Sequence, residues 1–383
     1  VSPASARVKR FGLVGAVLGV AAAGVAAGVA AERAIVRRTR QGTPDPYADE
    51  QFGQLPYDEA LTARTPDGTD LYVEVVEPAD GLELGAEIAL EIGGLEPPTA
   101  EPTVVFVHGF CLDMGTFHFQ RKMLTRRGDY RMVFYDQPGH GRSGRLESGE
   151  YELPALGEAL RAVLDEAAPD GPVVLVGHSM GGMTIMAFAE LFPEYFDDRV
   201  AAVVLMATSG GRLEQAKFGL PAVIARVGGP LLPLVNNATR LTGGMIDRAR
   251  QASSDLAWLL TRRYGFGAPR PSPSLVSFVE QMNSRTTAET VARYLRTLYT
   301  HVRYPALVAL RSTPTLVVVG DKDMITPVTH SEEIVRHLPD AEFITVPDSG
   351  HVLMLEHADE VNAALLDFLE KIAPVAGGDG GVR

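Results

Sequence analysis

The stretch Gly177-His178-Ser179-Met180-Gly181, followed by Gly182 and preceded by the apolar run Val173-Val174-Leu175-Val176, narrows the folds open to this chain more than any other feature. A buried strand that runs into Gly-x-Ser-x-Gly and straight on into a helix makes a sharp strand-turn-helix bend. The serine occupies the apex in a strained backbone conformation. Glycine is required on either side because a side chain would strike the adjacent strand or helix. Such a bend exposes Ser179 Oγ and aims the free N–H groups of the helix start at any negative charge that forms beside it.

The surrounding sequence supplies a ladder into which this bend fits. Thr103 to Val107 is a short β-branched run ending in His108-Gly109-Phe110, and Arg131 to Tyr135 is another, ending in Asp136-Gln137-Pro138-Gly139-His140-Gly141-Arg142-Ser143. Val200 to Met206, Thr315 to Val319 and Phe343 to Val346 continue the series. Continuous apolar runs of this length predict strands buried on both faces. Helical patterns fall between them at Pro154 to Ala167, Thr184 to Leu191 and Ser331 to Leu338. Alternation of strand and helix predicts an α/β fold with crossover units, in which function gathers at the carboxyl ends of the strands. All the polar motifs fall there.

On His108-Gly109, Asp136 to Ser143, Gly177 to Gly181, Gly320-Asp321-Lys322-Asp323 and Ser349-Gly350-His351, the chain resembles the α/β-hydrolase fold superfamily over roughly Leu61 to Ile372. The chain order Ser, Asp, His is that family's own. The resemblance implies a mostly parallel sheet with helices on both faces and a helical cap inserted at about 209–311, where the strand rhythm stops. The preferred partition is an N-terminal segment 1–40, a linker 41–60, a hydrolase domain 61–372 and a flexible tail 373–383.

Charge is unevenly placed along the chain. Seven basic residues against Glu32 lie within 1–40, so of the net −13 the remainder carries −19. An acidic body argues against nucleic acid as a partner. The lone Cys111 excludes an internal disulfide and leaves the compartment open. No phosphate-binding glycine loop, dinucleotide fingerprint or paired-cysteine metal spacing occurs, so neither a cofactor nor a metal is expected. Oligomeric state is not legible.

Phe11 to Ala31 is 21 residues without a charge, flanked by basic residues, and long enough as a helix to cross a bilayer core. Its length favours a membrane anchor; three basic residues before it against four after it leave the orientation undecided, and the preferred placement of the body is outside the cytoplasm. Its small-residue clusters, Ala21-Ala22-Ala23 and Ala30-Ala31, keep a cleaved signal peptide and secretion as the alternative. Gln41 to Glu59, with Pro44, Pro46 and Pro56, reads as an extended tether of little core-forming potential. Leu61 to Glu77 alternates around Thr65-Pro66-Asp67-Gly68 and predicts a hairpin.

Three residues compose the expected catalytic set. Ser179 becomes nucleophilic once a base takes its proton, and an imidazole suits that task. Among the nine histidines, His351 is the preferred base, because its loop after the last strand can hang it over the sheet. His108, His140 and His178 lie inside turn motifs and are expected to satisfy backbone groups. A carboxylate must fix the imidazole tautomer. The family pattern Gly-x-x-Asp-x-x-x-Pro fits Gly320, Asp323 and Pro327, which selects Asp323 over Asp321. The other acid position used in the family reads Ala207-Thr208-Ser209-Gly210 and holds no carboxylate.

Backbone geometry makes the N–H groups of Phe110 and Met180 the expected oxyanion hole. The side chains of Phe110 and Met180 either line an acyl pocket or pack in the core, and Cys111 either packs or carries a reactive thiol. Apolar pieces of the insertion, including Pro221 to Ile224, Leu231 to Leu234, Leu256 to Leu260 and Val291 to Tyr299, either recognise a hydrophobic acyl or alkyl substrate or simply seat the cap. The expected activity is ester hydrolysis through an acyl-enzyme on Ser179. Thioester, lactone or C–C hydrolysis, perhydrolysis and acyl transfer remain open to the same constellation, and a binding protein without turnover is the reading from another class.

Overall fold

A computed structural model describes residues 34, 36–79, 102–213, 255 and 257–372. The apolar runs form an eight-stranded sheet in the order β1-β2-β4-β3-β5-β6-β7-β8. The hairpin expected around Thr65 is β1 (Glu59–Arg64) paired antiparallel with β2 (Asp70–Val76). Its turn is closed by Thr65 Oγ1, which donates to Asp67 Oδ1 at 2.6 Å. β2 is also antiparallel to its other neighbour, β4. From there the pairing is parallel through β3 (Thr103–Val107), β4 (Met132–Tyr135), β5 (Val173–His178), β6 (Val200–Met206), β7 (Thr315–Gly320) and β8 (Glu342–Val346).

Helices α1 (His118–Arg127), α2 (Leu153–Ala167) and α3 (Met180–Leu191) make the first crossovers. Two further helices, α4 (Pro273–Arg285) and α5 (Ala288–Thr300), belong to the insertion, and α6 (Val328–His337) and α7 (Ala358–Ile372) complete the domain. Successive strand residues point to opposite faces. Val104, Phe106, Phe134, Val176 and Val318 therefore pack with Leu124 of α1 and Leu365 and Phe368 of α7. Val105, Val133, Leu175 and Leu205 pack with Leu160 and Val163 of α2 and Phe188 of α3. Both faces are covered, which is why the central strands are apolar throughout. β8 departs from that expectation. It is the sheet's edge, its burial alternates, and Phe343 remains 38% exposed. α3 starts at Met180 rather than at Thr184, because the chain enters the helix directly from the bend even though Gly181 and Gly182 are poor helix formers.

The described part of the insertion settles one of the open choices. Trp258, Phe266, Val276, Val279 and Met282 join the first core cluster. Tyr294 and Leu298 of α5 pack on Met180 and Met183. These apolar faces seat the cap. Pro221 to Ile224 and Leu231 to Leu234 lie outside the described residues.

The stretch read as a tether is clasped onto the body instead. Val36 is buried in the main core cluster, and the Arg40 guanidinium lies 4.9 Å from the Trp258 ring centre. Asp45 accepts from Ser274 N–H at 3.2 Å and Ser274 Oγ at 2.7 Å, and also from Ser272 Oγ, which stabilises the start of α4. Phe52 stacks on Phe278 at 4.7 Å, and Tyr47 sits 5.2 Å from Phe119. Glu50 pairs with His118 at 2.8 Å and Lys122 at 2.5 Å. The acids and prolines read as an extended tether, but two aromatics and two specifically paired carboxylates are enough to fasten the segment. The anchor expected at Phe11 to Ala31 and the tail from 373 lie outside the described residues. Among the described residues no helix is long and apolar enough to cross a membrane.

Candidate active site

β5 lies at the middle of the sheet, between β3 and β6, and its last residues pair with the ends of both: Gly177 with Val107 and Leu205, His178 with Met206. Ser179 follows with φ 52° and ψ −115°, a left-handed conformation that a non-glycine residue adopts only under constraint. The constraint is visible on both sides. Ser179 N–H donates to Met206 O at 2.9 Å, and Thr208 Oγ1 donates to Ser179 O at 2.6 Å. A Cβ on Gly181 would lie 1.9 Å from Val107 O, so only glycine lets α3 start this close to β3.

His351 and Asp323 arrive from the loops after β8 and β7. His351 Nδ1 lies 2.8 Å from Asp323 Oδ2. Asp323 Oδ1 accepts the N–H groups of Ile325 at 2.8 Å and Thr326 at 2.9 Å, and Oδ2 also accepts Thr326 Oγ1 at 2.8 Å. Every neighbour of this carboxylate is a donor, which assigns the His351 proton to Nδ1. Nε2 is then the basic nitrogen. Ser179, Asp323 and His351 are all buried, at 7%, 5% and 6% exposure. Asp321 is exposed and pairs with Lys322 at 2.8 Å. Asp348 is likewise exposed, in a turn with φ 52°. The structure thus brings Asp323, and neither alternative, to the imidazole. At the other possible acid position, Ser209 is buried with its Oγ 2.8 Å from His330 Nδ1.

Two contacts that sequence reasoning did not foresee hold the base loop. His178, buried beside Ser179, places Nε2 2.9 Å from the His351 carbonyl, with the two rings 4.9 Å apart. Glu356 accepts Gly350 N–H at 2.7 Å, Ala268 N–H at 2.7 Å and Gly267 N–H at 2.9 Å. It thereby joins the base loop to the cap. The two backbones touch: a Cβ on Gly350 would lie 2.5 Å from Gly267 N, and Val352 N–H donates to Gly265 O at 3.0 Å. A glutamate in an amphipathic segment reads as a solvated face, so no local pattern could have revealed this contact.

Met180 is the first residue of α3, and neither its N–H nor that of Phe110 has an acceptor among the described residues. The next N–H, of Cys111, is turned away by φ 58° and donates to His140 Nε2 at 3.1 Å. The Met180 side chain is fully buried in the core and the Phe110 ring packs partly buried on the same cluster, which places Met180 in packing and not on an acyl pocket. Desolvation pushes the Cys111 thiol up to about 12, which counts against the reactive-thiol alternative.

The Asp136 to Ser143 turn braces this loop. Asp136 accepts Met114 N–H at 2.9 Å and Arg142 N–H at 2.8 Å. Burial, helped by the nearby Asp113 carboxylate, pushes Asp136 up to about 7. His108 accepts Gln137 N–H at 2.8 Å on Nε2 and faces Gly109 O with Nδ1, so it is a neutral backbone linker as expected. Burial lowers His108 to about 4 and His140 to about 3, and His178 falls well below its ordinary value.

These shifts predict an acid-labile fold. Below pH ~6.5 the unfolded chain takes up protons on three imidazoles that the folded chain keeps neutral, so each withdraws stability as pH falls, by about 1 kcal/mol per unit. Asp136 acts in the opposite sense between its ordinary value and about 7, and offsets one of the three. Urea midpoints measured from pH 7.5 down to 5, where ordinary carboxylates are still ionised, are expected to fall steadily. A flat or rising profile would contradict the neutral assignment.

A cavity of about 1030 Å³ lies away from this centre, between the clasp, α1 and α4. Its charged lining is already paired, Arg121 with Glu74 at 2.6 Å and Arg285 with Asp113 at 3.1 Å. None of Ser179, Asp323 and His351 lines this cavity, so the chemistry is not assigned to it. Among the described residues no group of three or more His, Cys, Asp or Glu is arranged to hold a metal ion.

Comparison with known proteins agrees with this architecture. A sequence family described as the alpha/beta hydrolase fold matches residues 102–358. The dihydrolipoyllysine-residue acetyltransferase component of an acetoin cleaving system from Pseudomonas putida is 31% identical over 70% of this chain, and the match spans 63% of that relative's length. An sn-1-specific diacylglycerol lipase from Mus musculus is 27% identical over 70% of this chain and 81% of its own. Among solved structures, a thermophilic esterase from Thermogutta terrifontis superposes with a TM-score of 0.59 at 22% identity, over 83% of this chain and all of that one.

Proposed function

Since the chain belongs to the alpha/beta hydrolase fold family, we propose that it is a serine hydrolase that cleaves a carboxylic ester through an acyl-enzyme on Ser179. The observation that carries this reading is the 2.8 Å contact between His351 Nδ1 and Asp323, on a loop packed against the strained bend that bears Ser179. With Nδ1–H held by Asp323, His351 Nε2 accepts the Ser179 proton as Oγ attacks the ester carbonyl. The carbonyl oxygen becomes negative and takes the N–H groups of Phe110 and Met180. Two such preorganised donors are worth roughly 10²–10³ each in turnover. The imidazolium then protonates the departing alkoxide, and a water deprotonated by the same nitrogen releases the acid.

The diacylglycerol lipase relative favours an apolar acyl group. Thioester, lactone and C–C substrates, and acyl transfer to an alcohol, use the same residues and are the competing readings. Phe11 to Ala31 is proposed as the membrane attachment, with the body outside the cytoplasm. A fluorophosphonate probe and a panel of p-nitrophenyl esters of increasing chain length test the activity. Stoichiometric labelling with turnover that rises from acetyl to a medium-length acyl chain is expected. Absence of labelling would sink the serine mechanism, and labelling without turnover of any ester would sink the substrate class.

A further inference from the structure

We propose that the face formed by the helix over 36–41 and the cap helix over 257–265 lies against the anionic surface of the bilayer that carries the chain's own N-terminal segment, so that the catalytic loop works at the lipid interface. The inference rests on the reading of Phe11 to Ala31 as the anchor. It adds that the body is mounted on the membrane and does not swing on a linker.

The first observation is the clasp. A loose 20-residue linker would let the body range over about 25 Å. Here docking begins at Val36, which shares the core cluster with Trp258, and continues through Arg40, Asp45, Tyr47, Glu50 and Phe52. Only five residue steps separate Ala31 from Val36, a span of at most about 17 Å when fully extended. If Ala31 ends a membrane-embedded segment, the cap helix that bears Trp258 is held within that distance of the headgroups.

The second observation is charge. Arg37, Arg38 and Arg40 on one helix and Arg263 on the other are exposed, Arg262 is half-buried and donates to Pro269 O, and Glu280 lies near both Arg40 and Asp255. The body beyond residue 40 carries −19 in total. A local excess of arginine on so acidic a protein is complementary to an anionic headgroup layer. Leu260, on the same helix, is 42% exposed.

The third observation ties this face to the chemistry. The helix over 257–265 advances about 12 Å along its axis. It ends at Gly265, whose carbonyl takes Val352 N–H, next to His351. The base loop therefore sits one short helix away from the proposed lipid surface, a position suited to esters that partition into the bilayer.

Trp258 is the only tryptophan in the chain, so native fluorescence reports on this face directly. The full-length protein would be reconstituted into phosphatidylcholine vesicles, with and without phosphatidylglycerol, containing a dansyl-headgroup lipid as short-range energy acceptor. Strong transfer from Trp258 is expected, increased by phosphatidylglycerol and lowered several-fold in Arg37→Glu/Arg38→Glu/Arg263→Glu. None of these arginines belongs to the catalytic set, so fluorophosphonate labelling of detergent-solubilised variant should match that of the parent. Protein that sediments with vesicles but transfers no more energy than a soluble tryptophan control would overturn the mounting while leaving the anchor intact. Protein that fails to sediment would overturn both.

Discussion

Ser179→Ala is expected to abolish fluorophosphonate labelling and to lower turnover on the order of 10⁶-fold, the loss found when the nucleophile of a concerted triad is removed. The substitution deletes one oxygen from a residue whose backbone is held by Met206 O and Thr208 Oγ1, so the fold should be unaffected. Thermal unfolding of the variant should match the parent. Residual labelling at the parental rate would place the nucleophile elsewhere. Combining Ser179→Ala with His351→Ala should cost little more than either alone, because the two act as one unit.

Asp323→Asn is expected to lower turnover by about 10⁴-fold, through loss of the correct imidazole tautomer. The geometry explains the size of the effect. Both carboxylate oxygens receive only donors: Ile325 and Thr326 N–H on one, and Thr326 Oγ1 and His351 Nδ1 on the other. An asparagine must set its NH₂ against one of these pairs. The outcome that relieves the clash most readily is a His351 with its proton moved to Nε2, where it can no longer accept one from Ser179. Asp321→Asn, by contrast, removes only an exposed contact with Lys322 and should keep nearly full kcat. The decisive measurement is kcat for both variants on one ester. Reversal of their order would exchange the roles of the two carboxylates.

Most of the sheet was legible because its signal is local. Valine-rich runs such as Val173 to Val176 have few options once Gly-x-Ser-x-Gly follows, and the strand ends differ from expectation by one or two residues. Asp323 and His351 were legible because each sits at a fixed spacing after a strand. What escaped depends on contacts between distant segments. Glu356 binds Gly267 and Ala268, some ninety positions away in sequence, and nothing near it announces a partner. The clasp was misread for a related reason. Its prolines and acids resemble a linker, whereas the features that fasten it, Phe52 on Phe278 and Asp45 on Ser274, appear only when the cap helix is placed. His178 was assigned to backbone satisfaction, which is correct, but the backbone group it serves belongs to His351.

The junction of Gly265 to Ala268 with Ser349 to Val352 also bears on how caps can be exchanged between relatives of this fold. An insertion after the sixth strand suggests a cassette with two free ends, transferable by recombination at its borders. Here the cassette has a third attachment in its interior, formed by two glycines in backbone contact and one glutamate that serves both sides. A chimaera that takes a foreign segment across 265–268 inherits a loop that does not fit Gly350, and the misfit falls one residue from His351. Productive crossovers are therefore those that keep 265–268 and 349–356 from the same parent.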